Sequence, residues 1–380
     1  MSIYFDNAAT TKVFPEVLEG MKEAMEIEYG NPSAKYTLGI DAENKVKEAQ
    51  ENIAKSLKAK AKEIIFTSGG TESNNFAIIG TAMANKRRGM HIITSRIEHA
   101  SVYEPMFYLE DEGFEITFLD VDEHGIFDLE QLKNSIRKDT ILVSCMMVNN
   151  EIGALEPIKE MGQIIKAANK DTIFHVDAIQ AYGKVSITPK NMNIDLLSMS
   201  GHKIHGPKGV GFLYIKEKTR IKPLILGGGQ QKGMRSGTEN VPGIVGLGIA
   251  CKKMTDKLQE HAAKIGEVKK YFCSRITEVE DIKDNSGAAP HVASISFKGI
   301  RSEVLLHALE DKGIFVSSGS ACSSNKPQIS GTLKAIGLPD EYRDGTLRFS
   351  FSLENTKEEV DICIDAIKEL APMLRRFTRR

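Results

Sequence analysis

Apolar residues recur every three to four positions near the start of the chain. Over residues 13–29, Val17, Leu18, Met21 and Met25 fall on one face and Pro15 suits a first turn, which predicts a helix. Gly30-Asn-Pro-Ser33 breaks it, and a charge-rich helix is predicted over 42–57. From Ile64 the pattern changes to short apolar runs separated by helical stretches. Runs at 64–67, 91–94, 115–119, 140–148, 172–176, 195–199 and 211–215 predict strands. Strands alternating with helices imply an α/β architecture, a mostly parallel sheet with helices on both faces.

The pattern shifts again after Ile215. Leu226-Gly-Gly-Gly-Gln-Gln-Lys-Gly-Met-Arg-Ser-Gly-Thr238 predicts a glycine-rich loop, and 241–261 a long connecting helix with a domain boundary near residue 255. Strands at 292–297 and 346–351 and helices at 303–312 and 357–374 follow. The tail Arg375-Arg-Phe-Thr-Arg-Arg380 reads as solvated, with docking to an acidic partner as the alternative.

Composition narrows the class. Apolar residues make up 41% of the chain, enough for a packed core, and a net charge of −1 points away from bulk binding to nucleic acid or a membrane surface. The opening Met-Ser-Ile-Tyr-Phe-Asp is not read as a signal peptide, and no apolar run approaches the ~20 residues of a membrane helix. Cys145, Cys251, Cys273, Cys322 and Cys363 are widely spaced with no C-x-x-C, so neither a disulfide framework nor a zinc site is indicated. A cytoplasmic location is expected.

Candidate chemistry centres on Ser198-Met-Ser-Gly-His-Lys-Ile-His-Gly-Pro-Lys-Gly209. Lys203 falls on a tight connection between two apolar strands, a place suited to an amine nucleophile or to an ordinary glycine-rich hairpin. Upstream, Asp177 ends an apolar strand, where α/β folds place ligand contacts. Pyridoxal phosphate (PLP) needs such a pair, a lysine for its Schiff base and an acid for its pyridine nitrogen. Ser68-Gly-Gly-Thr-Glu-Ser73 follows a strand and opens a helix, which suits a phosphate but also an ordinary turn and cap. A P-loop is excluded, because Gly201-x4-Gly206 precedes Pro207 and Gly228-x4-Gly233 precedes Met234. His202 and His205 form His-x-x-His with no third ligand in view, so no metal is assigned. Cys322, in Val316-Ser-Ser-Gly-Ser-Ala-Cys-Ser-Ser-Asn-Lys326, lies among small polar residues and differs from the apolar settings of Cys145, Cys251 and Cys363.

From Asp6-Asn-Ala-Ala-Thr-Thr11 to Thr346-Leu-Arg-Phe-Ser350, these motifs resemble the NifS/IscS-type cysteine desulfurases, class V members of the fold-type-I PLP enzymes. The resemblance implies a large domain over 15–255 with a seven-stranded sheet, and a smaller α+β domain from 1–14 and 256–380. It implies Lys203 as the PLP lysine and Asp177 as the acid partner. Gly70, Thr71, Ser200 and His202 would hold the phosphate, with Thr238 reaching the phosphate of a neighbouring subunit in a homodimer. His99 would stack on the ring and move protons. Gln180 would donate to the phenolic oxygen, Asn150 would lie near the ring oxygen and substrate carboxylate, and Arg348 would clamp that carboxylate. Cys322 would take the sulfur of L-cysteine as a persulfide, release L-alanine, and pass the sulfur to an iron–sulfur scaffold or a tRNA-thiolation enzyme. A selenocysteine lyase and a class V aminotransferase are the alternative activities, and a PLP-free scaffold protein the alternative class. One departure stands out: family members often carry Leu-Glu-Pro-Ser shortly after the cysteine, where this chain has Asn325-Lys-Pro-Gln-Ile-Ser330.

Overall fold

The computed structural model describes residues 2–318 and 330–378. Its centre is a seven-stranded sheet in the order Ile64–Thr67, Gly211–Ile215, Leu196–Ser200, Ile173–Asp177, Thr140–Met146, His91–Ser95, Glu115–Leu119. Only Gly211–Ile215 runs against its neighbours. Every predicted strand is present, with ends within two residues of expectation. The inner strands are buried on both faces, which is why they read as unbroken apolar runs, whereas the edge strand Glu115–Leu119 keeps exposed positions.

The helices depart further from expectation. The second begins five residues early, as Thr37–Ser56, because its first turn packs tightly on the preceding chain: a Cβ on Gly39 would lie 2.3 Å from the Ala34 carbonyl oxygen. The single helix expected over 241–261 is two, Val241–Asp256 and Leu258–Ile276, meeting at the non-helical Lys257 (φ −123°, ψ 38°). The periodicity runs on across the break, but the buried face changes partner. Val241–Asp256 packs on the first two helices, where a Cβ on Gly248 would come within 2.6 Å of Ala49 Cβ. Leu258–Ile276 sends Ile265, Val268, Phe272 and Ile276 into a second core.

That second core lies on a four-stranded antiparallel sheet, ordered Ser317–Ser318, Thr346–Ser350, Val292–Phe297, Ile282–Asp284. Ile3 and Phe5 from the start of the chain are buried in it, and Ile3–Tyr4 pairs in parallel with Ile314–Phe315. The last helix, Lys357–Thr378, continues through Pro372. Arg375 is therefore not part of a solvated tail: its guanidinium donates to the carbonyls of Glu280 (2.6 Å) and Lys298 (3.1 Å). Among the described residues no helix is long and apolar enough to cross a membrane.

Candidate active site

The carboxyl ends of the sheet strands surround a cavity of about 280 Å³, slightly below the usual range for small-ligand pockets. Gly70, Thr71, His99, Asn150, Asp177, Gln180, Ser200, His202 and Lys203, all singled out in the sequence, line it together, with Met146, Val148 and Ile179 as apolar wall.

One end is built for an anion. Strand Ile64–Thr67 runs into Gly69, whose φ of +146° is open only to glycine, and the helix Gly70–Asn85 starts there. Its first N–H groups have no partners inside the helix and carry the positive end of its dipole. A Cβ on Gly70 would stand 2.2 Å from Ile179 Cδ1, closing the wall onto the space the cavity needs. Ser73 fixes this helix start by donating to the Phe212 carbonyl at 3.1 Å. Burial, aided by the charge of Lys203, lowers the pKa of His202 to about 4, so at neutral pH it serves this end as a neutral ring.

The opposite end is acidic. Asp177 is the last residue of its strand and is buried. Asn74 Nδ2 donates to its Oδ2 at 2.7 Å and the Ile179 N–H to its Oδ1 at 3.0 Å. Burial still pushes its pKa up, which a cationic partner in the cavity would reverse. His99 both caps the helix Ala100–Asp111 and lines the cavity, so the structural and functional readings of this residue hold together. The Ser101 N–H donates to His99 Nδ1 at 3.1 Å, and burial lowers the ring's pKa. A neutral ring accepting at Nδ1 carries its proton on Nε2.

Lys203 sits in the short turn Gly201–Lys203, between two strands that pair antiparallel from Ser200 opposite Gly211. Its Nζ donates to the carbonyls of Ala8 (2.5 Å) and Ala9 (2.8 Å). Gln180 Nε2 donates to the same Ala8 oxygen at 2.9 Å. The Asp6–Thr11 motif thus supplies backbone acceptors beside the amine. It is held there by Ala8 N–H to Ser350 Oγ (2.8 Å) and by Thr11 Oγ1 to the His202 carbonyl (2.9 Å).

Arg348 does not line the cavity but adjoins it. Its Nη1 donates to the Asn150 carbonyl at 2.9 Å and its Nη2 to Asp6 Oδ1 at 2.8 Å, while Nε has no partner among the described residues. Thr238 is exposed in the glycine-rich loop, away from the cavity. That loop is tied to the anion-binding helix by Arg235, whose Nε lies 3.0 Å from Glu72 Oε1. Cys322 lies outside the described residues.

Several contributors went unnoticed in the sequence. Asn74 joins Asp177 to Ser101 Oγ (2.9 Å), and its signal is its place one helical turn after Gly70. Glu98, beside His99, accepts from Ser95 Oγ at 2.5 Å and the Met146 N–H at 3.1 Å, and burial raises its pKa to about 8. Glu151, next to Asn150, accepts from the hydroxyls of Ser330 and Thr332 and so ties the start of helix Gly331–Ala335 to the cavity rim. Nothing in the local pattern marks either acid, since Met146, Ser330 and Thr332 come from elsewhere in the chain.

A mostly parallel sheet with an anion-binding helix start, a buried acid and a lysine converging on one crevice defines a class of cofactor-dependent enzyme. The family model described as Aminotransferase class-V matches residues 3–363, and the chain belongs to that family. Within it, the chain is 46% identical to the cysteine desulfurase IscS of Clostridium botulinum, over 99% of this chain and 96% of that one. It is 44% identical to the cysteine desulfurase IscS of Dictyoglomus turgidum over the same shares. A solved NifS-like protein superposes with a TM-score of 0.93 at 38% identity, covering 98% of this chain and all of the other. The apo cysteine desulfurase from Thermococcus onnurineus gives 0.88 at 28% identity, covering 98% and 95%. The cofactor of this family is PLP, and the donor set fits it. The glycine-lined helix start suits a phosphate, the buried carboxylate a protonated pyridine nitrogen, and the lysine an aldehyde.

Proposed function

We propose that the chain is a PLP-dependent L-cysteine desulfurase that releases L-alanine and hands on the sulfur. The observation that carries this reading is the convergence of Lys203, Asp177 and the Gly69–Thr71 helix start on one cavity in a chain so similar to cysteine desulfurases. When bound, PLP supplies an electron sink for the substrate's Cα. Lys203 would hold the cofactor aldehyde, and its amine would move the Cα proton. Asp177 keeps the pyridine nitrogen protonated, its carboxylate steadied by Asn74 and the Ile179 N–H. Gly70, Thr71, Ser200 and His202 bind the phosphate, and Gln180 orients the phenolic oxygen. His99 offers the proton on Nε2. Arg348, beside Asn150, binds the substrate carboxylate with its guanidinium fork.

Cys322 is the nucleophile. Its thiolate attacks the substrate sulfur, an S–S bond forms as the C–S bond breaks, and the electron pair stays with the carbon skeleton, which leaves as alanine. Support for a homodimer comes from Thr238, exposed in the glycine-rich loop that Arg235 ties to the helix Gly70–Asn85, and from the exposed apolar side chains Leu18, Met25, Tyr29 and Tyr36. The sulfur acceptor is an iron–sulfur scaffold or a tRNA-thiolation enzyme, and the setting is cytoplasmic, in keeping with free Cys145, Cys251, Cys273 and Cys363. Two separate cores support a large domain over 15–255 and a small one from 1–14 and 256–380. Sulfide and alanine production from L-cysteine tests the reading, with and without Cys322→Ala. Wild-type turnover lost in the variant is expected, and sulfide release that survives the substitution overturns the assigned nucleophile.

A further inference from the structure

Lys184 has no part in the chemistry above, yet it is buried directly behind the turn that carries Lys203. It is 5% exposed, and its Nζ donates to the Lys203 carbonyl oxygen at 2.9 Å, the ammonium's one hydrogen bond among the described residues. An ammonium has three protons to donate, so two remain unspent. No ion pair to Lys184 exists among the described residues. The titratable groups facing it are Lys203, His202 and His205 on the turn, and His291 just before the strand Val292–Phe297. All are bases. Lys203 in turn faces Asp177, His99, His202 and His291 besides Lys184.

A cation in such a nest is costly, and methionine would fill the same length without the cost. The placement therefore needs a reason beyond packing. We infer that Lys184 is a positioning residue for the cofactor lysine: it clamps the Lys203 carbonyl from behind and, through its charge, disfavours protonation of the Lys203 nitrogen. Repulsion between two like charges acts on both. Burial together with the charge of Lys203 lowers the Lys184 pKa to about 7, and the same repulsion returns to Lys203 when Lys184 is protonated. The benefit is an amine that stays available for exchange with a substrate amine near neutral pH.

The inference rests on Lys203 being the PLP lysine, and the two are separable by experiment. Borohydride trapping of PLP on Lys203 in the wild-type holoenzyme tests the parent reading alone. For Lys184, the absorbance of bound PLP in the full-length holoenzyme is titrated from about pH 6 to about pH 10, and the midpoint of the spectral change is compared among variants. Lys184→Gln keeps a donor without the charge, Lys184→Met removes both, and Lys184→Arg keeps both. The neutral variants should move the midpoint upward by about one pH unit, a tenfold change in proton affinity, with Lys184→Arg close to wild type. A folded Lys184→Gln holoenzyme, verified by its melting curve, whose midpoint coincides with the wild type's overturns the electrostatic role. So does a Lys184→Arg midpoint displaced as far as that of Lys184→Gln. Should Lys184→Met fail to fold, the Gln and Arg variants decide.

Discussion

The two sheets serve one site in different ways. The seven-stranded sheet delivers its residues from strand ends and the turns that follow: Asp177 closes one strand, Ser200 another, and His99 and Gly70 lie just past two more. Each is fixed locally, by a cap, a positive-φ glycine or a strand terminus. The four-stranded sheet contributes Arg348 from mid-strand, facing Ser294 on one neighbour and Ser317 on the other. Its guanidinium reaches across to Asp6 and Asn150, so its aim depends on how the two sheets sit together. The lesson is a division of labour. The large sheet presents the anion-binding and acidic groups of the cavity as part of its own frame, whereas the Arg348 end is completed by a second frame.

That contrast can be broken by substitution. Asp177→Asn should lower kcat by about two to three orders of magnitude, the scale of removing a buried electrostatic partner, with KM for cysteine changed much less. Single-turnover kinetics checks it. Arg348→Lys should act in the other parameter. A lysine cannot reproduce the fork that spans Asn150 and Asp6, so KM should rise about tenfold to a hundredfold while kcat falls less. A kcat loss as deep as that of Asp177→Asn would erase the distinction between the two ends.

The smallest effect concerns stability and belongs to the large sheet alone. Glu98 has a folded-state pKa of about 8 against 4.5 ordinarily, because burial favours its neutral form. Between those values the unfolded chain has released a proton that the native chain keeps. Its contribution is therefore complete below about pH 4.5 and is lost as pH rises through about 8. Urea unfolding of wild type against Glu98→Gln should show the variant gaining on wild type across that window, by up to about 1.4 kcal/mol per pH unit. A difference that is flat with pH would mean that Glu98 is ionised in the native state.

Much of this was legible in the sequence, for physical reasons that differ by region. Inner strands buried on both faces betray themselves as apolar runs, and residues placed at their ends inherit that legibility, as Asp177 and Lys203 do. The Leu258–Ile276 helix was missed as a separate element because its periodicity continues from the preceding helix, and a change of buried partner leaves no mark on spacing. The Ile3–Tyr4 and Ile314–Phe315 strands are two residues each, too short for any alternation to show. Glu98, Glu151 and Lys184 escaped because the groups that matter to them, among them Met146, Ser330 and Lys203, come from elsewhere in the chain. The last helix, expected over 357–374 and so already through Pro372, runs on to Thr378, because contacts distant in sequence, such as those of Arg375 with the Glu280 and Lys298 carbonyls, hold its final turn.

The bonds from Asn7 Nδ2 to the Ser350 carbonyl and from the Ser350 N–H to Phe5 span about nine-tenths of the chain. During synthesis, residues 5–9 must wait for residue 350 before they can settle. Until then the Ala8 and Ala9 carbonyls have no fixed place beside Lys203, even with the seven-stranded sheet already formed. Competence to take up the cofactor thus waits for residue 350, and a nascent chain stalled before it should carry a folded sheet with an incomplete pocket.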